Sequence, residues 1–224
     1  MQNQTADVTW KDSHVPVSTR FDDPYFSIEN GPAETAHVFL GGNDLPGRFV
    51  PGFHIAELGF GTGLNLLVAW DAWTRAGQKG PLRFTSFELY PLSRDDMARA
   101  LAQFPEFEGK RDALRDAWSP EAASLTLPGL EAEIILGDAR ETLPRWHDRA
   151  DAWFLDGFSP AKNPELWAPE LMQAVADHTA AGGTMATYTA AGFVRRGLAE
   201  AGFDVTRVAG YGRKRHMTRG VLVT

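Results

Sequence analysis

Four carboxylates, Glu57, Glu88, Asp138 and Asp156, each stand at or beside the end of a short apolar run. A carboxylate in that position can accept hydrogen bonds from hydroxyl and amino groups or hold a cation. Taken singly, it is more readily a solvated residue or a helix cap. Glu57 belongs to the most informative stretch, Ile55-Ala56-Glu57-Leu58-Gly59-Phe60-Gly61-Thr62-Gly63-Leu64-Asn65. The apolar run 53–58 reads as a buried strand and the three glycines as a turn. Leu64, Leu67, Val68 and Trp73, at helical spacing, read as the helix that follows. Glycines permit positive φ and close approach of a ligand to the backbone, so a strand, a glycine turn and a helix N-terminus make a ligand cradle. The pattern Gly59-x-Gly61-x-Gly63 lacks the last spacing of the dinucleotide fingerprint and the Gly-Lys-Ser/Thr of a phosphate loop. A carboxylate at Glu57 would repel a pyrophosphate and suits a cationic ligand such as the sulfonium and ammonium of S-adenosylmethionine. A glycine turn with no ligand is the alternative.

The other carboxylates extend this reading. Glu88 lies about 30 residues beyond the cradle, near where nucleotide-binding βαβ units place the acid that holds ribose hydroxyls. Asp138, with Ala139 beside it, is placed to accept from an adenine amino group and equally to cap a short helix over 139–146. Asp156 opens the loop Asp156-Gly157-Phe158-Ser159-Pro160-Ala161-Lys162-Asn163-Pro164, which two prolines stiffen and whose Phe158 can stack on a ring. An ordinary structured loop is the competing view. The six histidines show no spacing with carboxylates that suits a metal, so none is expected. Trp70, Trp73, Trp146, Trp153 and Trp167 fall at apolar helix or strand positions and read as core.

The elements that must position these groups alternate. Strands are expected over 53–58, 82–89, 132–136, 151–155 and 184–188. Helices are expected over 64–73, 93–104, 166–179 and 193–201, with Gly182-Gly183 stopping the third. Two last strands, 204–208 and 217–223, have no helix between them and should pair antiparallel. Residues 105–130 read as an insertion with helical fragments at best. His37-Val38-Phe39-Leu40 reads as a short strand or a helix end. This pattern specifies an α/β fold of the class I S-adenosylmethionine-dependent methyltransferase type, Rossmann-like, with a mostly parallel seven-stranded sheet in the order 3-2-1-4-5-7-6. The four carboxylates then gather at one crevice beyond the strand ends. Residues 1–50 form a small N-terminal elaboration packed on a main domain of residues 51–224.

With 224 residues and 43% hydrophobic content, the chain can bury a full core. It has no cysteine, which excludes disulfides and thiolate catalysis. Residues 1–10 lack an apolar signal core and no long apolar run exists, so a soluble cytoplasmic protein with no membrane partner is expected. The net charge of −7 is unevenly spread. Arg195, Arg196, Arg207, Arg213, Lys214, Arg215 and Arg219 against Glu200 and Asp204 make residues 192–224 +5, leaving −12 on the rest. Such an asymmetry marks the C-terminal stretch as the place for an anionic partner, with pairing to the chain's own acids as the alternative.

Five blocks now point to a family: Phe21-Asp22-Asp23-Pro24-Tyr25-Phe26-Ser27, Glu57 through Asn65, the loop from Asp156 to Pro164, Thr189-Ala190-Ala191-Gly192-Phe193-Val194-Arg195-Arg196-Gly197-Leu198, and Gly210-Tyr211-Gly212-Arg213-Lys214-Arg215-His216-Met217. In that order they resemble the methyltransferase domain of the MnmC family, tRNA-modifying enzymes that act on the wobble uridine. The similarity runs over nearly the whole chain and is weakest over 105–130. It implies methyl transfer from S-adenosylmethionine to the primary amine of 5-aminomethyl-2-thiouridine at tRNA position 34, giving 5-methylaminomethyl-2-thiouridine. The cofactor residues would be Glu57, Gly59, Phe60, Gly61, Thr62, Gly63, Asn65, Glu88, Asp138 and Ala139, with Asp156 catalytic. Tyr25, Phe158, Lys162, Arg195, Arg196, Arg213, Lys214 and Arg215 would meet the anticodon region of tRNA, the arginines and Lys214 forming one basic rim. Two-domain members also carry a flavin-dependent oxidase. This chain has no second glycine fingerprint, so that activity is expected to be absent here and supplied by a separate protein. The alternatives are a small-molecule amine methyltransferase, an aminopropyltransferase of the same fold, or a catalytically silent partner in tRNA modification.

Overall fold

The computed structural model describes residues 5–12, 14–27, 29–121 and 124–223. Parts of the expected N-terminal elaboration (1–4, 13 and 28) and of the insertion (122–123) lie outside the described residues, as does residue 224. The chain opens with three short antiparallel strands, β1 (Val8–Lys11), β2 (Val15–Ser18) and β3 (Asp23–Pro24). Helix α1 (Gly31–Thr35) follows, capped by Asn30, whose side chain accepts from the Ala33 amide at 3.0 Å. It runs on into a wider helical turn, Ala36–Gly41. The His37 to Leu40 segment is therefore helical throughout. Its Phe39 stacks on Phe154 with ring centroids 5.3 Å apart.

The main sheet contains β4 (His54–Leu58), β5 (Leu82–Glu88), β6 (Ser124–Leu127), β7 (Leu130–Leu136), β8 (Ala150–Leu155), β9 (Thr179–Thr187), β10 (Phe203–Ala209) and β11 (His216–Leu222). Their order is β10-β11-β9-β8-β4-β5-β7-β6. Strands β7, β5, β4, β8 and β9 are parallel, and β11 pairs antiparallel with both β9 and β10. The expected order thus holds, with an eighth strand, β6, added antiparallel at the edge of β7. The sequence signal for it is Pro128-Gly129: Gly129 takes φ +76°, and the turn sets Leu127 opposite Leu130.

Helices α2 (Leu64–Arg75), α3 (Arg94–Leu101) and α4 (Glu108–Ala117) cover one face of the sheet, and α5 (Ala139–Thr142), α6 (Pro169–Asp177) and α7 (Gly192–Glu200) the other. Trp70, Trp73 and Phe84 belong to the first core, and Trp146, Trp153, Trp167 and Leu198 to the second. The insertion is more ordered than its prolines suggest. Helix α4 buries Leu114, and Trp118 packs 4.9 Å from the ring of Phe60 behind the glycine turn. Helix α6 starts on Pro169, whose missing N–H costs nothing in a first turn. It ends at Asp177 and not at Gly182-Gly183. The Thr179 hydroxyl donates to the Val175 carbonyl at 2.6 Å, and β9 begins at that residue. The two glycines instead sit in a bulge between the Ala150 and Ala152 pairings, where a Cβ on Gly183 would lie 2.8 Å from the Ala180 carbonyl oxygen. Among the described residues no helix is long and apolar enough to cross a membrane.

The N-terminal segment is fastened beneath the sheet by Asn43. Its fully buried amide donates to the carbonyls of Phe39 (2.9 Å) and Trp153 (3.2 Å) and accepts from Thr184 Oγ1 (2.6 Å). Next to it, Gly42 lies so close to β9 that an added Cβ would fall 2.6 Å from the Ala186 Cβ. Gly42→Val should therefore overpack this seam and lower stability by about 1–3 kcal/mol. The measurement is the urea midpoint; an unchanged midpoint would mean the segment yields freely.

Candidate active site

At the end of β4 the chain turns on Gly59 (φ +85°), Gly61 (φ +53°) and Gly63 (φ +76°). A side chain at Gly59 would press on the Asp156 carbonyl oxygen at 3.2 Å, and one at Gly61 on the Tyr25 ring at 3.2 Å. Positive φ and close neighbours together require glycine at both. The turn opens on a cavity of about 1240 Å³ bounded by the ends of β4, β5, β7 and β8 on one side and by residues 18–27, 29–35 and the β10–β11 loop on the other.

Glu88, at the end of β5, lines this cavity. Its Oε2 accepts from the Gly61 amide at 2.9 Å and its Oε1 from the Tyr90 amide at 2.7 Å. Burial raises its pKa, against the pull of those amides. Asp138 lines it too and caps α5 at the same time, accepting from the Arg140 amide at 2.9 Å. The Arg140 guanidinium folds back on the carboxylate and holds its pKa below the usual range. Phe60, Thr62, Asn65 and Ala139 complete this half of the lining.

Glu57 differs from its expected place. It is fully buried and does not line the cavity. Its Oε2 accepts from Ser86 Oγ at 2.6 Å and its Oε1 from Asn65 Nδ2 at 2.9 Å. Burial drives its pKa well up, and the hydrogen bonds only partly oppose that. Gly63 also stands outside the lining, behind the turn between Phe60 and Leu114.

Asp156 reaches the cavity wall from β8. Its Oδ1 accepts from the Gly157 amide and its Oδ2 from Asn65 Nδ2, both at 2.8 Å. Burial lifts its pKa to about 6, while Asn65, Gly157 and the charge of Lys214 act to lower it. Phe158 stacks on Phe21 (4.7 Å between centroids) and meets Tyr25 edge-on (5.1 Å). Lys162 is committed to Asp22 and Asp23, which ties the 156–164 loop to β3. The basic residues divide. Arg213 and Lys214 line the cavity, paired with Glu29 (3.1 Å) and Glu34 (2.9 Å). Arg195, Arg196 and Arg215 do not line it. The one continuous rim expected from the sequence is therefore not formed at the cavity. Helix α7 turns Val194 and Leu198 into the core, and this fixes where its arginines stand.

Two groups here had not been read from the sequence. Tyr188, just past β9, donates its hydroxyl to the Gly157 carbonyl at 2.8 Å and offers its ring to the Lys214 ammonium at 4.2 Å. Burial first, then the nearby Asp156, raises its pKa. Its position at a strand end was a usable signal. Glu34 comes from α1, and no local pattern announces it. Among the described residues no group of three or more His, Asp or Glu could hold a metal ion.

A parallel sheet whose order reverses beside a glycine turn, with an acid on the next strand, defines the Rossmann-like class that binds its cofactor beyond the strand ends. The chain belongs to the S-adenosyl-L-methionine-dependent methyltransferase family, which residues 101–223 match. It is similar to the tRNA 5-methylaminomethyl-2-thiouridine biosynthesis bifunctional protein MnmC of Stutzerimonas stutzeri, at 46% identity over 230 aligned residues, covering 98% of this chain and 35% of that protein. The same-named protein of Hahella chejuensis is 45% identical over 227, covering 96% and 36%. The chain thus spans about a third of the length of these relatives. The crystal structure of MnmC2 from Aquifex aeolicus superposes with a TM-score of 0.73 at 26% identity, over 99% of this chain and 72% of that one. These likenesses bear out the resemblance drawn from the five sequence blocks.

The raised pKa of Asp156 has a consequence for stability. A carboxyl with a folded pKa near 6 and an unfolded value near 3.8 binds its proton more tightly when folded. Its contribution is therefore most favourable below about pH 4 and is lost as pH rises through about 6. Asp156→Asn should remove this pH dependence, so that between about pH 4 and 6 wild type loses about 1–2 kcal/mol relative to the variant, after allowance for solvent at the cavity wall. Urea midpoints from pH 4 to 8 test it; parallel curves for the two proteins would contradict it.

Proposed function

We propose that this methyltransferase transfers a methyl group to the primary amine of 5-aminomethyl-2-thiouridine at the wobble position of tRNA. The observation that carries the reading is Asp156, anchored through both oxygens where the glycine cradle meets the aromatic half of the cavity. The names of the relatives support this substrate class. The cavity, larger than the roughly 300–1,000 Å³ typical of small-ligand sites, suits a cofactor and a nucleoside together better than a small free amine.

The cradle fits S-adenosylmethionine. Gly59 and Gly61 leave space that a Cβ would fill, and Glu88 is fixed by backbone amides with its carboxylate facing the cavity. In this reading Glu88 receives the ribose hydroxyls, Asp138 and Ala139 flank the adenine, and Phe60 and Thr62 enclose the remainder; Asn65, at the boundary with the acceptor half, is committed to Asp156. Glu57 and Gly63 act from behind the turn. The bound cofactor supplies a methyl group already activated on a sulfonium. The protein contributes proximity and alignment. Asp156 accepts from the substrate amine and aims its lone pair. With a pKa near 6 it is mostly ionised at pH 7 and able to hold the proton the amine gives up. Phe158 and Tyr25 offer an aromatic wall to the uracil ring.

Lys162 stiffens the loop that carries Phe158, and Arg213, Lys214 and Arg215 meet anticodon phosphates, with Arg195 and Arg196 further out. Residues 51–224 make up the methyltransferase domain, onto which 1–50 builds the acceptor wall. The enzyme works in the cytoplasm, and the flavin-dependent step lies with another polypeptide segment or protein.

Nucleoside mass spectrometry of undermodified tRNA, after incubation with labelled cofactor, is the direct test. Label in 5-methylaminomethyl-2-thiouridine is expected, and its absence would reject the substrate. Asp156→Ala should leave cofactor affinity within about threefold and cut turnover at least about 100-fold. Wild-type turnover would remove Asp156 from the mechanism. Calorimetry on Gly61→Val and Glu88→Ala should show a loss of cofactor affinity of about tenfold or more, as expected from a blocked cradle and a lost charged acceptor. Replacing Arg213, Lys214 and Arg215 with alanine should flatten the salt dependence of tRNA binding by roughly one unit per lost phosphate contact. An unchanged slope would place the tRNA surface elsewhere.

A further inference from the structure

Asn65 ties three elements together at the cavity wall. It enters at the start of α2, almost fully buried, and touches three elements. Its Nδ2 donates to Glu57 Oε1 at 2.9 Å and to Asp156 Oδ2 at 2.8 Å, and its Oδ1 accepts from Thr35 Oγ1 at 2.8 Å. An amide nitrogen has two hydrogens, and both are used on carboxylates. Turned over, the amide would set its carbonyl oxygen against two carboxylates and its NH₂ against the Thr35 hydroxyl. Only the observed orientation satisfies all three neighbours.

The consequence falls on Asp156. With Oδ1 held by the Gly157 amide and Oδ2 by Asn65, the carboxylate plane is fixed. Each oxygen keeps a lone pair for a further donor. A primary amine bearing two N–H groups matches that arrangement. We propose that Asn65, oriented by Thr35, is a positioning residue that fixes the Asp156 carboxylate for the acceptor amine; this rests on the reading of Asp156 given above. Asn65 then serves the acceptor side of the reaction more than the cofactor. The arrangement also makes α1, and through it the N-terminal segment, part of the catalytic geometry.

Other charges face Asp156, so its titration is a shared property. Glu57 lies beyond Asn65 on β4, Glu34 on α1 opposes its ionisation, and Lys214 in the β10–β11 loop favours it. The Tyr188 ring stands alongside after β9. Asn65 is the one side chain among these with a direct hydrogen bond to the carboxylate. Losing it removes a donor that favours the charged form, so Asp156 should hold its proton to higher pH.

The test uses Asn65→Leu, close to Asn in shape, and Thr35→Val in the full chain. Three quantities are read: S-adenosylmethionine affinity by calorimetry, kcat on undermodified tRNA, and the Asp156 carboxyl titration by carbon-13 NMR, assigned by its loss in Asp156→Asn. In Asn65→Leu we expect cofactor affinity within about threefold, kcat lower by about 100-fold, and a titration moved up by about one pH unit. Thr35→Val should move kcat and the titration in the same directions by smaller amounts. A fall in kcat with an unmoved titration would reveal a merely structural role and overturn the proposal, as would a moved titration with wild-type kcat. If Asn65→Leu fails to fold, Thr35→Val decides: both readouts shifted supports the proposal, and either one unshifted overturns it. A dead Asp156→Ala beside a fully active Asn65→Leu sinks this inference alone, whereas a fully active Asp156→Ala sinks the amine reading beneath it.

Discussion

A carboxylate shut away from water lies at the junction on which the structure depends. Glu57 has no exposed surface, and a polar group so placed is tolerated only when hydrogen bonds replace its hydration. Ser86 on β5 and Asn65 on α2 provide them. The central strand, its neighbour and the helix after the glycine turn are thereby locked in one register. Removing either partner would leave a buried acceptor short of a donor, a defect usually costing about 1–3 kcal/mol. The glycine turn is held from the other side by the Glu88 carboxylate, which receives the Gly61 amide. The cradle is thus preorganised by acids that hold its frame, with the backbone lining it.

From that frame the cavity acquires carboxylates of unlike character. Asp138 is kept ionised by the guanidinium of Arg140, whereas burial pushes Glu88 and Asp156 the other way. A permanently charged acceptor suits recognition of an amino group. A carboxyl poised near neutrality suits proton handling. The environment, and not the residue type, separates their affinities for the proton, because all are acids near strand ends.

The basic residues show the same dependence on neighbours. Arg213 and Lys214 stand over the cavity already paired with Glu29 and Glu34, and Lys214 also lies on the ring of Tyr188. An anion approaching this rim must exchange with carboxylates of the same chain, which moderates affinity and favours a ligand carrying several phosphates. In a protein of net charge −7 these two cations place positive charge at the mouth of the cavity.

The sequence by itself determined the order of seven of the eight strands of the main sheet, the glycine cradle, the C-terminal hairpin and the position of Asp156. These depend on local periodicity, on glycines where positive φ is needed, and on the connection rules of parallel sheets. The resemblance carried by five ordered blocks supplied the family. The edge strand β6 was also legible, in Pro128-Gly129, but prolines around it suggested a loop. What only the tertiary structure decided were partnerships across long separations. Glu57 faces inward because β4 is covered on both sides, and a strand pattern cannot say which acid at its end is swallowed. Asn65 meets Thr35 across 30 positions and Asp156 across 91. Glu34 reaches Lys214 only because α1 and the β10–β11 loop converge over the cavity. Arg195 and Arg196 were placed by the face that α7 buries, which the charge pattern does not record. Local sequence sets backbone conformation and apolar faces; which polar groups meet, and at what pKa, follows from the packing that brings distant segments into one low-dielectric space.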